Sequence, residues 1–427
     1  MSFLLMKMVG PVRVSIVGVV DRDAGKEGAC IGRELDRVLV LCNHGAVDSM
    51  LRPESTSLRM EMRTLKKRRR FPRKTLTLPL YSWKEIIEGN RETVEYTFIQ
   101  RDAHAFQQPV AAEHIQAMCE RAFGQRVVIH SVRELGSGQF NNTYLLDLAG
   151  HDPVVLRVAP SPVRTVFWHE RFLMRRELAM QPLLVTIAPL LPTILMNDCS
   201  HEILDRDYLF QRWISGTLWW DVEAELTAEE HDELWCQFGR LVHTIASVQA
   251  ESFGLVQWGP RYPFWSLTLS DWLAHTIADA EYMCVETASL RCLLEFACDH
   301  SAILDEIIRP GLLHGDLWLF NLLIQRTGEG PRIVGVLDAD RGSWGDPLAD
   351  WTFFLLERRA TPLEQALFWK GYGGRPEGGA GACLRSLLYQ GLHHGKILSV
   401  ARRDRNERAV NKASRALAEV VHTLQRV

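Results

Sequence analysis

Residues 313–324 contain the polar side chains whose types and spacing best fit a catalytic role. A His-Gly-Asp triplet ends in Asp316, and Asn321 follows after four spacer residues, with apolar runs on both sides. A third polar group, Asp338, follows a further apolar run. Transfer of a phosphoryl group needs a carboxylate that orients and accepts the proton of a hydroxyl, together with oxygen ligands that hold Mg²⁺. Asp316 can supply the first function, and Asn321 and Asp338 can supply the second.

The simpler interpretations of these residues are structural. A lone His-Gly-Asp triplet can be a turn with a capping Asp, and acidic clusters are usually solvated surface. Asp338, however, follows residues 333–337, an apolar run with β-branched members that is typical of a buried strand. A carboxylate there is costly to bury unless it is paired or binds a cation. The loop, its spacing and a second acidic block with Asp346 and Asp350 together favour a functional site.

In order and spacing, this set resembles the aminoglycoside phosphotransferase family, small-molecule kinases with a protein-kinase-like fold. The resemblance extends over about residues 109–427 and is most specific over residues 313–351. It implies an α+β, two-lobed protein-kinase-like fold with a small β-rich N-lobe and a larger helical C-lobe. It also implies that Asp316 is the catalytic residue and that Asn321 and Asp338 bind Mg²⁺ at the phosphates of ATP.

The resemblance also assigns roles to neighbouring polar residues. Asp346 and Asp350 are expected to brace the loop by accepting backbone N–H bonds, and His314 is interpreted as a packed, hydrogen-bonded residue without proton chemistry. A second metal contact is a further hypothesis for Asp340, because the Asp-Phe-Gly of protein kinases is Asp-Ala-Asp here. Positioning and charge neutralisation would then supply most of the catalysis.

A glycine-containing hairpin and the strand after it match the nucleotide-binding part of the same family. Glycines let backbone N–H groups approach phosphate oxygens. The turn of the hairpin contains Gly136, Ser137 and Gly138. The next predicted strand carries Arg157 where the family usually has a lysine, which leaves either an arginine-using subgroup or weakened nucleotide binding. Glu177, deep in the following helix, is the expected partner of Arg157, whereas Glu170 is better explained as a first-turn acid favoured by the helix dipole.

Residues 207–216 predict a strand that runs into a glycine-containing turn. In the resembled fold this segment joins the two lobes, and its backbone binds adenine. Gln211 and Trp213 are therefore assigned to the nucleotide site, with Phe210 behind the base. The alternative is a core strand and turn that binds no ligand.

The rest of the chain has mainly helical periodicity. The predicted helices cover residues 229–248, 271–283 with Ser270 as N-cap, 288–307 and 384–424. Tryptophans and acids that the resemblance places around an acceptor pocket are Trp258, Trp265, Trp272, Asp271, Asp279, Glu281 and Glu286. In the resembled family, carboxylates here attract a polyamine-like sugar and aromatic faces cover its ring. The alternative is that the acids are surface residues and the tryptophans belong to the core.

Composition restricts the class of protein without defining it. With 427 residues and 47% hydrophobic content the chain can bury a large core, and a net charge of −3 gives no general affinity for nucleic acid or anionic membranes. Nine scattered cysteines without a CxxC spacing indicate reduced thiols. No apolar stretch is long enough to cross a bilayer. The sequence therefore predicts a cytoplasmic protein that binds neither nucleic acid nor membrane, and its oligomeric state stays open.

Three segments are predicted along the chain. Residues 1–105 form a poorly ordered N-terminal extension with a basic run at 66–74, interpreted as a solvated linker, with a nucleic-acid or nuclear-localisation patch as the sharper alternative. Residues 106–213 form the kinase-like N-lobe, and residues 214–427 form the helical C-lobe with the catalytic loop and the metal site. Deletion of residues 1–100 is expected to leave activity intact.

The sequence thus predicts an ATP-dependent O-phosphotransferase that acts on a hydroxyl of a small molecule. The acceptor is expected to be aminoglycoside-like or another natural product, and a choline, sugar or homoserine-type metabolite is the alternative. A second alternative is a binding-only pseudokinase in which Arg157 marks lost activity. The intact set of Asp316, Asn321 and Asp338 argues against that alternative, because an inactive site has no physical need for all three.

Overall fold

A computed structural model gives the fold of most of the chain. The residues that it describes are 16–19, 93–101, 105–136, 138, 140–375 and 379–426. The chain forms two compact units: unit 1 is Met1–Gln100, Ala111–Gly136 and Tyr144–His151, and unit 2 is Arg101–Val110, Ser137–Thr143 and Asp152–Val427. The predicted boundaries after residues 105 and 213 do not coincide with these units and stay predictions. The basic run at 66–74 lies outside the described residues.

Unit 1 is a small mixed structure. Its elements are β1 (Ile16–Val19), β2 (Thr93–Thr97), α1 (Ala112–Phe123), β3 (Ile129–Leu135) and β4 (Asn142–Leu148). The strands lie in the order β1-β2-β3-β4, with β1 and β2 antiparallel and β2 and β3 parallel. Val94 and Tyr96 of β2 are buried, and the Ile99 amide donates to Glu134 at 2.9 Å. Residues 93–101, which the sequence assigns to the extension, are therefore part of the described fold.

Unit 2 contains the remaining strands in three small sheets. These strands are β5 (Val154–Val158), β6 (Ile194–Asp198), β7 (Tyr208–Arg212), β8 (Thr217–Leu218), β9 (Phe253–Leu255), β10 (Arg261–Tyr262), β11 (Gly311–Leu313), β12 (Leu322–Thr327), β13 (Gly330–Val336) and β14 (Ser343–Gly345). Within this unit β7 lies between β5 and β6, β12 lies between β13 and β8, and the third sheet has the order β10-β9-β14-β11. The strand pairs described for these three sheets are antiparallel.

The helices of unit 2 form its larger part. They are α2 (Leu173–Met180), α3 (Trp219–Val222), α4 (Ala228–Ala246), α5 (Trp265–Tyr282), α6 (Ala288–Asp299), α7 (Ser301–Leu304), α8 (Leu348–Arg358), α9 (Pro362–Tyr372), α10 (Ala380–Arg403) and α11 (Glu407–Leu424). The predicted helix start after Ser270 is wrong, because α5 begins at Trp265 and Ser270 lies inside it. The predicted helix 384–424 is two helices, with Arg405 in a left-handed conformation between them.

Local sequence explains the contact between α4 and α9. Thr227 and Thr361 each begin a capping box at the start of one helix, in which the threonine oxygen accepts a backbone N–H and a glutamate three residues later accepts another. A Cβ at Gly239 would lie 2.0 Å from the Phe368 carbonyl oxygen, and one at Gly371 would lie 2.0 Å from the Cys236 carbonyl oxygen. The two helices thus approach each other through glycines, which no larger residue could replace without moving backbone.

The strand register in unit 2 determines which loops meet. β11 pairs with β14 so that Leu313 lies opposite Ser343, which brings the residues after Leu313 beside those before Ser343. β12 pairs with β13 so that Leu322 lies opposite Val336. The first pairing brings Gly315 against Arg341, and the second brings Asn321 against Leu337.

The chain is α+β, with a β-sheet part and a larger helical part, as the sequence predicts. The hydrophobic core of unit 2 is formed mainly by helices α4, α5, α6, α10 and α11 with strands β11 to β13. Trp265 and Trp272 are buried in this core, and the Trp265 indole donates to the Tyr389 hydroxyl at 2.7 Å. Among the described residues, none of the helices combines the length and apolarity that a bilayer crossing requires.

Candidate active site

The catalytic loop leaves β11 through a glycine that its geometry requires. Gly315 has φ of +80°, and a Cβ at this position would lie 2.4 Å from the Arg341 carbonyl oxygen. A side chain is excluded by both the backbone conformation and the close contact. The loop is therefore pressed against the segment that follows Asp338, and Asp316 emerges beside Arg341, with 3.6 Å between the Arg341 Nε and the Asp316 Oδ2.

Asp350, in the first turn of α8, holds the catalytic loop from behind. Its carboxylate accepts the backbone N–H groups of His314 at 2.7 Å and of Gly315 at 2.8 Å, which is the bracing that the sequence predicts. Burial raises the pKa of Asp350 to about 6, and the two N–H donors oppose this shift. Asp346 accepts one backbone N–H, and its other partners are Arg385 and Tyr389 in α10.

His314 is a packed residue. Its side chain is fully buried, and neither ring nitrogen has a hydrogen-bond partner among the described residues. Burial lowers its pKa to about 4, although the Asp338 charge and the Leu337 backbone act in the opposite direction. His314 is therefore neutral at pH 7 and packed, as expected, but the expectation that its side chain is hydrogen-bonded is wrong for the described residues.

Asn321 connects the catalytic loop to the predicted metal site. Its Nδ2 donates to the Asp316 backbone oxygen at 2.7 Å and to the Asp316 Oδ2 at 3.3 Å. Its own backbone oxygen accepts the Leu337 N–H at 2.9 Å, so Asn321 lies next to the residue that precedes Asp338. Because the amide nitrogen is used on the Asp316 side, the amide oxygen is the atom left for a cation.

Asp338 stands in a left-handed backbone conformation, with φ of 57° and ψ of 46°, directly before a short 3-10 helix, Ala339–Arg341. Its side chain is 41% exposed, and its Oδ1 accepts from the Arg157 Nη2 at 2.7 Å. Asp338 and Asn321 offer a carboxylate and an amide oxygen, the hard oxygen ligands that Mg²⁺ prefers. The donor set of this site therefore fits the predicted metal.

Arg157, in β5, pairs with Glu177 of α2, as the sequence predicts. Its Nη1 donates to both Glu177 oxygens, at 2.6 and 2.7 Å, and both side chains are buried. Burial alone would lower the pKa of Arg157, but Glu177, Asp338 and Asp340 outweigh it and raise the pKa above its ordinary value. Burial raises the pKa of Glu177, which Arg157 opposes. The guanidinium thus bridges a helix carboxylate and the predicted metal ligand.

Two further acids are engaged elsewhere. Glu170, the less favoured partner of Arg157, accepts the Phe167 N–H at 3.0 Å and pairs with Arg403 at 2.5 Å. Asp340 is buried, its Oδ1 lies 4.0 Å from the Arg341 Nε, and burial raises its pKa.

The predicted nucleotide loop is described only in part. Gly136 belongs to unit 1, Gly138 belongs to unit 2, and Ser137 lies outside the described residues. The buried side chain of Gln107 donates to the Gly138 carbonyl at 3.0 Å and to the Asn141 carbonyl at 2.7 Å. Sequence reasoning missed this contact, and no motif marks Gln107.

The predicted adenine segment has its backbone partly in use. Gln211 lies in β7, where its backbone faces Val155 of β5, and its side chain is buried. The Trp213 N–H donates to the Pro153 carbonyl at 3.2 Å. The Trp213 N–H is therefore used within the protein, and the assignment of this segment to adenine stays a prediction. The residues from 213 to 216 are irregular backbone before β8.

The acids predicted around an acceptor pocket have partners within the protein. Asp279 accepts the Trp168 N–H at 3.1 Å, and Glu281 pairs with Arg291. Glu286 accepts the N–H of Ala288 at the start of α6. These contacts, and the burial of Trp265 and Trp272, favour the structural interpretation of this region.

The site joins five of the predicted residues through one series of contacts in unit 2. Asp316 contacts Asn321, Asn321 contacts the residue before Asp338, and Asp338 contacts Arg157, which contacts Glu177. Sequence reasoning did not identify Arg341 as a neighbour of Asp316. No local spacing signals this contact, because it depends on the pairing of β11 with β14.

The fold and this series of contacts define a phosphotransferase. A sequence profile of the phosphotransferase enzyme family (APH) matches residues 131–385, well over half of the chain, and the chain belongs to this family. The prediction of a small-molecule kinase is confirmed at the level of the family. A search of curated proteins finds no match.

Solved structures with the same fold are distant in sequence. The GDP complex of an aminoglycoside 2′-phosphotransferase-IIIa mutant has a TM-score of 0.54 and 17% identity over 73% of this chain and 98% of that one. A ternary complex of a thermostable APH(4)-Ia mutant with AMP-PNP and hygromycin B has a TM-score of 0.53 and 19% identity, over 72% and 98%. A candidate fructosamine-3-kinase from Haemophilus somnus 129PT has a TM-score of 0.52 and 15% identity, over 72% and 96%. At these identities the likeness shows the fold alone.

Proposed function

We propose that this protein is an ATP-dependent O-phosphotransferase that transfers the γ-phosphate to a hydroxyl of a small natural product or metabolite. The observation that carries the proposal is the single series of contacts from Asp316 through Asn321 and Asp338 to the Arg157–Glu177 pair. Solved proteins of this fold that bind GDP or AMP-PNP support a nucleotide as the donor. The cytoplasm is the proposed compartment, because it supplies ATP and Mg²⁺ and keeps thiols reduced.

In the proposed mechanism each group of the site has a separate task. Asp316 orients the acceptor hydroxyl and accepts its proton, while the Asp350 carboxylate keeps the loop of Asp316 in place. Arg157 binds the nucleotide phosphates and is positioned by Glu177. Asn321 and Asp338 would hold Mg²⁺, which when bound neutralises charge on the phosphates.

The pseudokinase alternative predicts a different environment for Arg157. If that residue marked lost activity, it would not need a buried bidentate partner and a contact with Asp338. The structure gives it both, at 2.6–2.7 Å. This geometry supports the arginine-using interpretation over the inactive one.

The direct test is NDP release by the Asp316→Asn variant. With an acceptor that the wild type phosphorylates, kcat should fall by about 10²–10⁴-fold, which is typical of losing a general base. The affinity for Mg²⁺ and AMP-PNP, measured by calorimetry, should stay within about threefold, since a factor of this size is under 1 kcal/mol. The exposed Asp299→Asn is the matched control. Full activity of Asp316→Asn would contradict the proposal.

A further inference from the structure

A groove with a volume of about 1080 Å³ lies between α10, α11 and the segment that joins α8 to α9. Four cationic side chains line it, Arg359 in the joining segment and Arg408, Lys412 and Arg415 in α11. We call it the basic groove. Glu419 is the one acid among the described residues that line it. Four positive charges therefore face one negative charge.

The four cations of the basic groove are exposed, and none of them forms an ion pair with another residue in the described part of the chain. Arg408 and Lys412 are four residues apart on α11, a spacing at which like charges repel each other. Arg415 follows about one turn later, so the row of charges extends over about 10 Å of the helix. A ligand with several negative charges would remove this repulsion.

The basic groove is separate from the candidate active site. Leu387 of α10 lines the groove, and it lies two residues from Arg385 and two residues from Tyr389, which both contact Asp346. Two residues are more than half a turn of an α-helix, so Leu387 points away from that contact. None of the described residues that line the groove belongs to the series of contacts from Asp316 to Glu177.

The basic groove also has apolar side chains, which restrict the kind of anionic partner. Ala360 and Val420 are buried, and Leu387 and Ala416 are partly exposed. A helix with one acidic face and one apolar face can contact both kinds of side chain, as peptide helices do in the grooves of their receptors. Single-stranded nucleic acid is a poorer match, because its bases stack on aromatic rings, and the described lining residues include no phenylalanine, tyrosine or tryptophan. A concave surface is also a poor fit to a flat lipid bilayer.

We propose that the basic groove binds an acidic amphipathic helix of a partner protein. Carboxylates of that helix pair with the four cations, and its apolar side chains contact Leu387 and Val420. The net charge of the whole chain is −3, so the attraction is local to the groove and is not a general affinity for anions. This binding is a further activity of the protein and does not depend on the proposed phosphoryl transfer.

The first test compares three peptides by calorimetry on the full chain. One is a helical peptide with leucines along one face and glutamates along the rest, the second has lysine in place of glutamate, and the third has serine in place of leucine. The first peptide should bind at least about tenfold more tightly than either of the others. Its binding should weaken as NaCl rises from about 0.1 M to about 1 M, because the Debye length falls from about 10 Å to about 3 Å.

Three results would overturn the proposal. They are no binding of the glutamate–leucine peptide up to about 1 mM, equal binding of the lysine peptide, and tighter binding of either oligouridine or vesicles of phosphatidylserine and phosphatidylcholine. Tighter binding of the RNA or of the vesicles would assign the basic groove to another class of partner.

Variants locate the binding in the basic groove. Arg408→Gln combined with Lys412→Gln should weaken the glutamate–leucine peptide by about tenfold or more and leave the affinity for AMP-PNP within about threefold. These side chains are exposed, so the variant should keep the wild-type melting temperature. Arg126→Gln combined with Lys370→Gln removes the same charge from exposed positions that do not line the groove and is the matched control. Equal weakening by both double variants would show attraction to the overall charge and would overturn the assignment to the groove.

Discussion

At the scale of single residues, the site depends on a buried arginine where the family usually has a lysine. A lysine has three donors around one point charge, whereas a guanidinium can bind a carboxylate with one edge and contact a second group with another. Arg157 uses two of its nitrogens in this way, since Nη1 donates to both Glu177 oxygens and Nη2 donates to Asp338. The arginine therefore performs a bridging task that an ammonium could do only in part.

We expect a strong energetic coupling between Arg157 and Glu177. Each single change to Met leaves the other charge buried and should cost about 3–5 kcal/mol of unfolding free energy. The double variant should cost clearly less than the sum, because no unpaired charge remains. Urea titrations of the four proteins measure this. The exposed pair Arg291 and Glu281, changed in the same way, should show a coupling of about 1 kcal/mol or less. Additive losses for the buried pair would contradict the expectation.

We also expect stability to depend on pH through His314. A histidine in the unfolded chain has a pKa near 6.5, whereas burial lowers that of His314 to about 4. The folded state binds fewer protons between these values, so stability that is fully present above pH 6.5 is lost as the pH falls towards 4. Between pH 7.5 and pH 5 this loss is about 2 kcal/mol.

His314→Gln should remove that part of the loss in urea titrations at the two pH values. Some dependence should remain, because burial also lowers the pKa of His169. The exposed His422→Gln serves as control and should change nothing. If the pH dependence of the unfolding free energy were the same in His314→Gln, protonation of His314 would not be what destabilises the folded state.

At the scale of elements, the site is the product of two strand pairings and one helix start. The pairing of β11 with β14 sets Asp316 beside Arg341, the pairing of β12 with β13 sets Asn321 beside Asp338, and the first turn of α8 supplies Asp350. The β11–β14 pairing covers only three residues of each strand, so the loop that follows β11 is held by hydrogen bonds to Asp350 as well as by register.

The bracing by Asp350 should be visible in kinetics. Asp350→Asn replaces one acceptor oxygen with a donor that faces the N–H groups of the loop, so kcat should fall on the order of 100-fold through misplacement of Asp316. In the wild type, kcat should also fall below about pH 6, since the Asp350 carboxylate is protonated there, and this limb should be absent in the variant. The exposed Asp205→Asn is the control. Wild-type kcat in Asp350→Asn would contradict the bracing role.

The sequence predicted the motifs of the site better than the tertiary contacts around them. The apolar run before Asp338, the triplet ending in Asp316 and the helix that carries Glu177 are local patterns, and they suffice for the Asp-Asn-Asp set. Arg341 and Gln107 were missed because their contacts depend on tertiary approach, which no local spacing records. The start of α5 was also misplaced, because its first turns are apolar and buried and lack a capping side chain.

At the scale of the whole molecule, the boundary of the fold lies earlier in the chain than its sequence suggests. Val94 and Tyr96 are buried in β2, which is parallel to β3. A boundary drawn from composition alone, at residue 105, therefore assigns this strand to the extension and separates it from β3, with which it pairs. A strand of only five residues with charged sequence around it gives too weak a local pattern to be predicted.

A chain that begins at residue 93 should be more stable than one that begins at residue 101. Loss of β2 removes two buried side chains, one of them aromatic, and should cost about 3–5 kcal/mol, as large core truncations do. Thermal unfolding of the two truncated proteins, followed by circular dichroism, measures the difference. Tyr96→Ala in the longer chain should reproduce a large part of it, and the exposed Glu95→Ala should not. Equal melting temperatures would show that β2 is dispensable and would restore the expectation that deletion of residues 1–100 is harmless.

The conformation of Asp338 has a cost that concerns the molecule as a whole. A non-glycine residue in the left-handed region forfeits about 1–2 kcal/mol, and the charge of Asp338 also raises the pKa values of Glu177 and Asp340, which signals repulsion. Net stabilities of folded proteins are only about 5–15 kcal/mol, so this is a noticeable share. If Asp338 holds Mg²⁺ as proposed, thermal stability and catalysis make opposite demands on this residue, and selection for a more stable protein would favour substitutions there that the proposed reaction does not tolerate.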